Sequence, residues 1–246
     1  AAAGGNIVFY PDQMTGCINR GLAVDGAPYP WDSDGIYTEG EFLYSNCDTQ
    51  VLGEILFRAT GQDPGTFAQA ELFEAINMTA YWWRDNVESG QANGNYLSYC
   101  CLDATAQDFA KFGYLMQLGG IEVESGTQYG GYVSDILAMD SFYDKQFWSF
   151  CAEQDGGGNC LNRVIHTSGF DGQFVVMDFK HNLIIVRASL YKSYLNHSDD
   201  RKMFLIPGAV ATSNWLGSVP NAMAIQAPTT FSIAEFHARV VSAISQ

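Results

Sequence analysis

Glu41-Phe42-Leu43-Tyr44-Ser45-Asn46-Cys47-Asp48-Thr49-Gln50-Val51-Leu52-Gly53 is the stretch on which the reading of this chain turns. Asp48 and Thr49 are cap-forming residues, and Val51, Leu52, Ile55, Leu56 and Ala59 then recur at helical spacing until Gly61 offers a stop. The spacing predicts a helix beginning after Asn46, so Tyr44 and Asn46 stand just ahead of a helix N-terminus. Side chains at i and i+2 in extended backbone point the same way, and the N–H groups at a helix start favour negative charge. A phenol in that place can act as a tuned proton carrier. The structural alternative is a tyrosine and an asparagine packed at a helix start, since a buried tyrosine ordinarily just finds one partner.

Outward from this stretch, residues 1–40 are rich in Gly, Pro, Asp and Tyr without a sustained period and read as a loop-dominated lead-in. After the Asp63-Pro64-Gly65 turn, residues 66–76 read as a second short helix with Phe67, Ala70, Phe73 and Ile76 inward, and Tyr81-Trp82-Trp83 opens an aromatic loop. Thr105 and Asp108 form a capping box ahead of a stripe of Phe109, Phe112 and Met116 that ends at Gly119. Arg163 to Ser168, Gly172 to Phe179 and Asn182 to Leu190 are short β-rich runs, the last two split by Lys180-His181 as in a hairpin. Ser232 and Glu235 make another capping box, followed by an apolar face of Ile233, Phe236, Val240 and Ile244. Helices and strands are thus segregated. The predicted class is α+β, an antiparallel sheet covered by helices with an adjacent helical cluster.

The 246 residues are 47% hydrophobic and 14% aromatic and contain no linker-like stretch, which predicts one domain over residues 1–246. Twelve basic against 27 acidic residues give a net charge of −15, which argues against nucleic acid and anionic membranes as partners. No apolar run has the length of a membrane span, and Ala1-Ala2-Ala3-Gly4-Gly5 lacks the features of a leader peptide. Six cysteines show no ligand spacing with histidines, so no metal is expected, and none of the phosphate-loop, Gly-x-Ser-x-Gly or His-Glu-x-x-His patterns is present. No cofactor is expected.

Cys151 and Cys160 bracket a loop containing Gly156-Gly157-Gly158, whose unfolded-state freedom a crosslink would restrict, and a disulfide is predicted between them. The pairing of Cys17, Cys47, Cys100 and Cys101 stays open. Asn77-Met78-Thr79 and Asn196-His197-Ser198 match the acceptor pattern for asparagine-linked glycosylation, and with the cysteines they point to an extracytoplasmic protein.

Several segments, in order, resemble the serine β-lactamase and penicillin-binding-protein superfamily, in particular the β-lactamase-related hydrolases that include class C enzymes, esterases and 6-aminohexanoate-oligomer hydrolases. These segments are Tyr44-Ser45-Asn46, Asp48-Thr49-Gln50, Leu52-Gly53, Ala59-Thr60-Gly61, the run from Leu102 to Gly113, and Gly119-Gly120. The resemblance covers roughly residues 36–190 and implies the β-lactamase/transpeptidase-like fold. Tyr44-Ser45-Asn46 corresponds to the family's Tyr-x-Asn motif. Its third motif, a Lys-Thr-Gly-like tripeptide on a sheet strand, falls at Thr167-Ser168-Gly169 when Gly169-Phe170-Asp171-Gly172-Gln173 fixes the register. The place usually held by Lys or His then carries Thr167, and His166 lies one residue early, on the other face of the strand. A neutral threonine supplies no charge to a substrate carboxylate. That departure favours the esterase and amide-hydrolase branches over β-lactam hydrolysis.

The superfamily's nucleophile lies in a Ser-x-x-Lys ahead of Tyr-x-Asn, and nothing before Tyr44 fits it. Ser189-Leu190-Tyr191-Lys192 has the spacing but follows the motif strand and is set aside. The chain is therefore expected to be the C-terminal portion of a longer domain. What the resemblance implies is a serine hydrolase acting on a small-molecule ester or amide through an acyl-enzyme. In it Tyr44 is catalytic, Asn46, Thr167, Ser168 and Gly169 contact substrate, and the Phe170 N–H helps hold the oxyanion. The alternative is a non-catalytic binding or regulatory descendant of the same fold. Tyr and Trp residues between 81 and 99 would suit an acyl pocket, or belong to the core.

Overall fold

Helix α1 runs from Asn46 to Thr60 and is stopped by Gly61, whose φ of +72° suits glycine and whose N–H bonds to the Phe57 carbonyl at 2.8 Å. A computed structural model describes residues 14, 17, 42, 46–82, 84, 94–120, 130–169, 172–188 and 231–245. The chain divides into two units. One comprises Ala1–Ala70, Tyr81–Asp103 and Asn196–Pro220; the other comprises Glu71–Ala80, Ala104–Leu195 and Asn221–Gln246.

In the first unit, α1 starts at Asn46, ahead of the expected caps, and Asp48 lies in the first turn, where the helix dipole favours its charge. The buried face is not the one that the recurring apolar residues mark. Cys47, Gln50, Gly53 and Glu54 are buried, whereas Leu52 and Ile55 are 51% and 54% exposed. The reason is specific bonding. Cys47 is joined to Cys17, and the Gln50 amide donates to the Tyr96 carbonyl at 2.7 Å while its oxygen accepts from the Ser98 N–H at 2.9 Å.

A β-carbon on Gly53 would fall 1.9 Å from Ser98 Oγ, so glycine is what lets α1 lie against the 94–101 loop. Trp82 fixes the same loop, its indole N–H donating to the carbonyls of Leu97 and Cys100 at 2.9 and 2.7 Å. Cys100 and Cys101 are joined to each other, which answers the open pairing. Helix α2, Pro64–Ala68, is capped by Asp63, which accepts from the Thr66 N–H. It widens into a π-helical turn, Gln69–Phe73, rather than continuing as the predicted α-helix over 66–76.

Strands β1 (Ala80–Trp82) and β2 (Leu102–Ala104) form a two-stranded sheet. The second unit is built on a five-stranded antiparallel sheet ordered β3-β4-β5-β6-β7, with β3 at Tyr143–Asp144, β4 at Phe147–Gln154, β5 at Cys160–Gly169, β6 at Gln173–Asp178 and β7 at Leu183–Arg187. The predicted hairpin is β6–β7, closed by the Asp178–Leu183 pair. Strand β4 is a correction to the sequence reading. Its Phe-Trp-Ser-Phe-Cys-Ala-Glu-Gln favours a strand through Phe147, Trp148 and Phe150, but it holds no β-branched residue and its second half, Cys-Ala-Glu-Gln, has no strand preference.

Thr105 caps α3 (Ala106–Gln117) as predicted, accepting from the Asp108 N–H at 3.1 Å. Helix α4 is Gly130–Leu137. Met116 of α3 and Val133 and Ile136 of α4 share a core with Phe147, Ile165 and Met177 of the sheet. A β-carbon on Gly113 would lie 2.9 Å from Ile184 and 3.4 Å from Val175, so α3 packs closely on this face. Helix α5, Ile233–Ile244, is capped by Ser232 and lies on the opposite face, where the His237 ring meets Phe150 at 5.6 Å. Its buried residue is His237, not the predicted Phe236 or Ile244, which are 37% and 58% exposed. A polar anchor, described below, sets the rotation of that helix.

Candidate active site

Strand β5 passes from the core to the surface over its last residues. Val164, Ile165 and His166 are buried, Thr167 is half-buried, and Ser168 and Gly169 are exposed. Thr167 pairs with Val175, and so shares the α3 face, while His166 and Ser168 point to the other side. The Thr167 hydroxyl is engaged, accepting from the Val175 N–H at 3.1 Å. The Ser168 hydroxyl makes no hydrogen bond among the described residues.

Two glycines shape the end of this hairpin. A β-carbon on Gly169 would lie 2.8 Å from Gln173 Cβ, and Gly172 takes φ +88° while its N–H closes a turn on the Gly169 carbonyl at 3.1 Å. Phe170, Tyr44, Ser189 and Lys192 lie outside the described residues. Asn46 is the first residue of α1, so its backbone is helical where extended backbone was expected. It belongs to one unit, and the Thr167-Ser168-Gly169 tripeptide to the other.

His166 takes the place expected of it, on the strand face opposite Thr167. Its Nδ1 donates to the Thr167 carbonyl at 3.1 Å, and its ring lies 5.7 Å from Phe150 and 5.9 Å from Phe174. Burial among these rings holds the imidazole below its ordinary value, with the carbonyl bond opposing, so at neutral pH the ring is an uncharged packing element.

The sequence reading missed Arg187. Across β5, β6 and β7 the register lines up Ser168, Phe174 and Arg187 on one face. The Arg187 guanidinium donates to the Gly172 carbonyl and lies 4.2 Å from the centre of the Phe231 ring. The positive charge absent at Thr167 is therefore present two strands away, braced against the turn that follows the tripeptide. Strand register was the missing signal, because nothing local links positions 168 and 187.

Cys151 of β4 and Cys160 of β5 are joined at 2.06 Å across the glycine-rich loop. Within that loop Asp155 accepts from the Asn159 side-chain amide and from the N–H groups of Asn159 and Gly157, all at 2.8 Å, and these bonds hold its carboxyl below the ordinary value. No described helix is long and apolar enough to cross a membrane.

No protein-family model matches the chain, and no curated protein does. Among solved structures, it is similar to one from Bacteroides dorei described as a "putative beta-lactamase", with 15% identity and a TM-score of 0.50 over 75% of this chain and 59% of that one. The fold is β-lactamase-like. A "putative 6-aminohexanoate-dimer hydrolase" from Bacillus anthracis also matches, at 23% identity and a TM-score of 0.47 over 60% of this chain and 38% of that one. The chain thus spans less than two thirds of the length of either protein.

Proposed function

We propose that this chain is part of a serine hydrolase of the β-lactamase-related type, acting on a small-molecule ester or amide outside the cytoplasm, with both units belonging to one catalytic domain. The observation that carries the reading is the exposed end of β5 in a β-lactamase-like sheet, where the Ser168 hydroxyl, without a hydrogen bond among the described residues, stands beside a glycine-built turn. The three disulfides support the extracytoplasmic setting. The acidic balance of −15 fits a neutral or cationic substrate better than a polyanion.

In this reading a serine supplied from outside the 246 residues attacks the carbonyl carbon and its proton passes toward the Tyr44 oxygen. The tetrahedral oxyanion is held by two backbone N–H groups, that of the serine and that of Phe170. Collapse breaks the bond to the leaving alcohol or amine, which takes the proton back from Tyr44, and water then hydrolyses the acyl-serine by the same route. Asn46 and Ser168 orient the substrate, and Thr167 and Gly169 shape the strand beside it.

A second reading, a non-catalytic binding descendant, draws on the absence of any Ser-x-x-Lys before Tyr44. The test is a fluorophosphonate probe applied to the full gene product and to the 246-residue chain. Labelling of an upstream serine in the former and none in the latter is expected. An unlabelled full product whose gene encodes no upstream Ser-x-x-Lys would favour the non-catalytic reading.

A further inference from the structure

The Asn77-Met78-Thr79 sequence is a pattern that the proposed chemistry does not use, and its placement is specific. It follows the π-helical turn and lies within the second unit. Met78 is 5% exposed, and its N–H bonds to the Phe73 carbonyl at 2.8 Å. The residues on either side of it, Asn77 and Thr79, are both exposed. The segment is therefore pinned by its middle residue while the two that an acceptor pattern requires are left outside.

The backbone on both sides of Met78 is held as well. The Asn77 N–H bonds to the Glu74 carbonyl at 3.1 Å, its own carbonyl accepts from Lys111 Nζ, and the Thr79 N–H donates to Asp108 Oδ1 at 3.3 Å. By contrast, neither the Asn77 carboxamide nor the Thr79 hydroxyl makes a side-chain hydrogen bond among the described residues. Asn77 has φ +51°, a left-handed conformation that asparagine tolerates better than most residues. Its amide nitrogen is thus exposed, without a hydrogen bond among the described residues, and carried on backbone fixed by other groups.

We propose that Asn77 is an attachment site for an asparagine-linked oligosaccharide, which the folded chain accommodates without loss of any described contact. The transfer forms a bond between the Asn77 amide nitrogen and the first sugar carbon, breaks that carbon's bond to the pyrophosphate oxygen of a lipid-pyrophosphate-linked oligosaccharide, and releases the lipid pyrophosphate together with one amide proton. Thr79 supplies the hydroxyl that the acceptor pattern requires. The proposal rests on the extracytoplasmic reading above, and the experiment separates the two.

The chain, preceded by a cleavable leader, is translated into microsomes and resolved before and after glycosidase treatment. Asn196→Gln serves as the background, because Asn196-His197-Ser198 is a second acceptor pattern. One glycosidase-sensitive mobility shift is expected. It should vanish in Asn77→Asp, which keeps the left-handed preference, and in Thr79→Ala, and it should persist in Thr79→Ser. None of these variants has to fold for the shift to be read. A translocated chain that forms its disulfides yet shows no shift would overturn the Asn77 proposal while leaving the compartment reading intact. A shift that survives Asn77→Asp would overturn it too. The purified glycosylated chain should also melt at the same temperature as its deglycosylated form, and a drop would show that the fold does not accommodate the sugar.

Discussion

His237 Nε2 on α5 donates to Asp178 Oδ2 at the end of β6 at 2.6 Å, in a place where neither side chain is more than 3% exposed. The same oxygen accepts from His181 Nδ1 at 2.7 Å, Asn162 Nδ2 reaches both carboxylate oxygens at 3.3 Å, and the N–H groups of Lys180 and His181 bond to Oδ1. An ionised carboxylate can only accept, so both imidazoles present a proton to it. Burial pushes the Asp178 carboxyl up, but the bonds from His181, His237 and Asn162 outweigh it and hold the group below its ordinary value. This carboxylate ties the C-terminal helix to the β6–β7 turn.

His237→Ala should therefore destabilise the chain by about 2 kcal/mol or more, the scale for losing a hydrogen bond to a charged group, to which the lost ring packing against Phe150 adds. His237→Phe keeps a ring and removes only the bond. Urea midpoints compare the three proteins, and a His237→Phe variant as stable as wild type would mean the helix is held by ring packing alone.

The acid limb of stability should depend on Asp108. Burial raises its carboxyl, yet the bonds from Lys111, Thr105 and the Thr79 N–H bring it down from 3.8 to about 2. A depressed folded value means the contribution is present above the unfolded value and is lost as pH falls from about 3.8 through about 2. Asp108→Asn should be less stable than wild type at pH 6 and should lose less on going from pH 4 to pH 2 (~two pH units, spanning both values). Parallel acid slopes for the two proteins in chemical denaturation would show that Asp108 does not titrate in this way.

The elements legible in the sequence were those with local punctuation. Thr105 and Ser232 with their acidic partners fixed two helix starts, and the Lys180-His181 break located a hairpin. What stayed hidden was set by contacts distant in the chain. Gln50 is buried because Tyr96 and Ser98 need its amide, and His237 is buried because Asp178 needs a donor. Neither requirement leaves an apolar period, so the apolar spacing of α1 does not mark its buried side, and the apolar face read for α5, Ile233, Phe236, Val240 and Ile244, omits His237. Of the candidate site, Thr167, Ser168 and Gly169 are expectations from a resemblance, and Arg187 is placed beside them only by strand register.

Breaking the Cys151–Cys160 bond should cost about 2–3 kcal/mol, as expected for a short closed loop, with the effect centred on the β4–β5 hairpin. The Cys151→Ala/Cys160→Ala double variant is the appropriate comparison, because it leaves no reactive thiol. Mass mapping of unreduced wild-type peptides should recover the two cysteines in one linked species. Free alkylation of both would remove the bond from the account.

Gly113→Ala tests the α3 packing. Alanine favours a helix interior over glycine by about 1 kcal/mol, but here its β-carbon would meet Ile184 at 2.9 Å. Overpacking of this kind costs about 1–3 kcal/mol, so the net change should be destabilising. Ile184→Ala removes the obstructing methyl, and the double variant should be more stable than the sum of the two single losses predicts. Additive effects in thermal melts would contradict the close approach of α3 to β7.

The last prediction concerns Tyr44, in the full gene product carrying an upstream Ser-x-x-Lys. Tyr44→Phe keeps the ring and deletes only the hydroxyl that the proposed mechanism uses to carry the proton. General acid–base catalysis contributes ~10²–10⁴-fold, so turnover of a short-chain p-nitrophenyl ester should fall by about that factor with an unchanged melting temperature. Ser168→Ala should cost less, because the exposed hydroxyl at the end of β5 orients the substrate without moving the proton. The ranking of the two variants discriminates more than either value, since a general loss of packing would lower the melting temperature along with the rate. A Tyr44→Phe enzyme that turns over at the wild-type rate would reduce the Tyr-Ser-Asn stretch to a structural helix start and remove the proton carrier from the proposed mechanism.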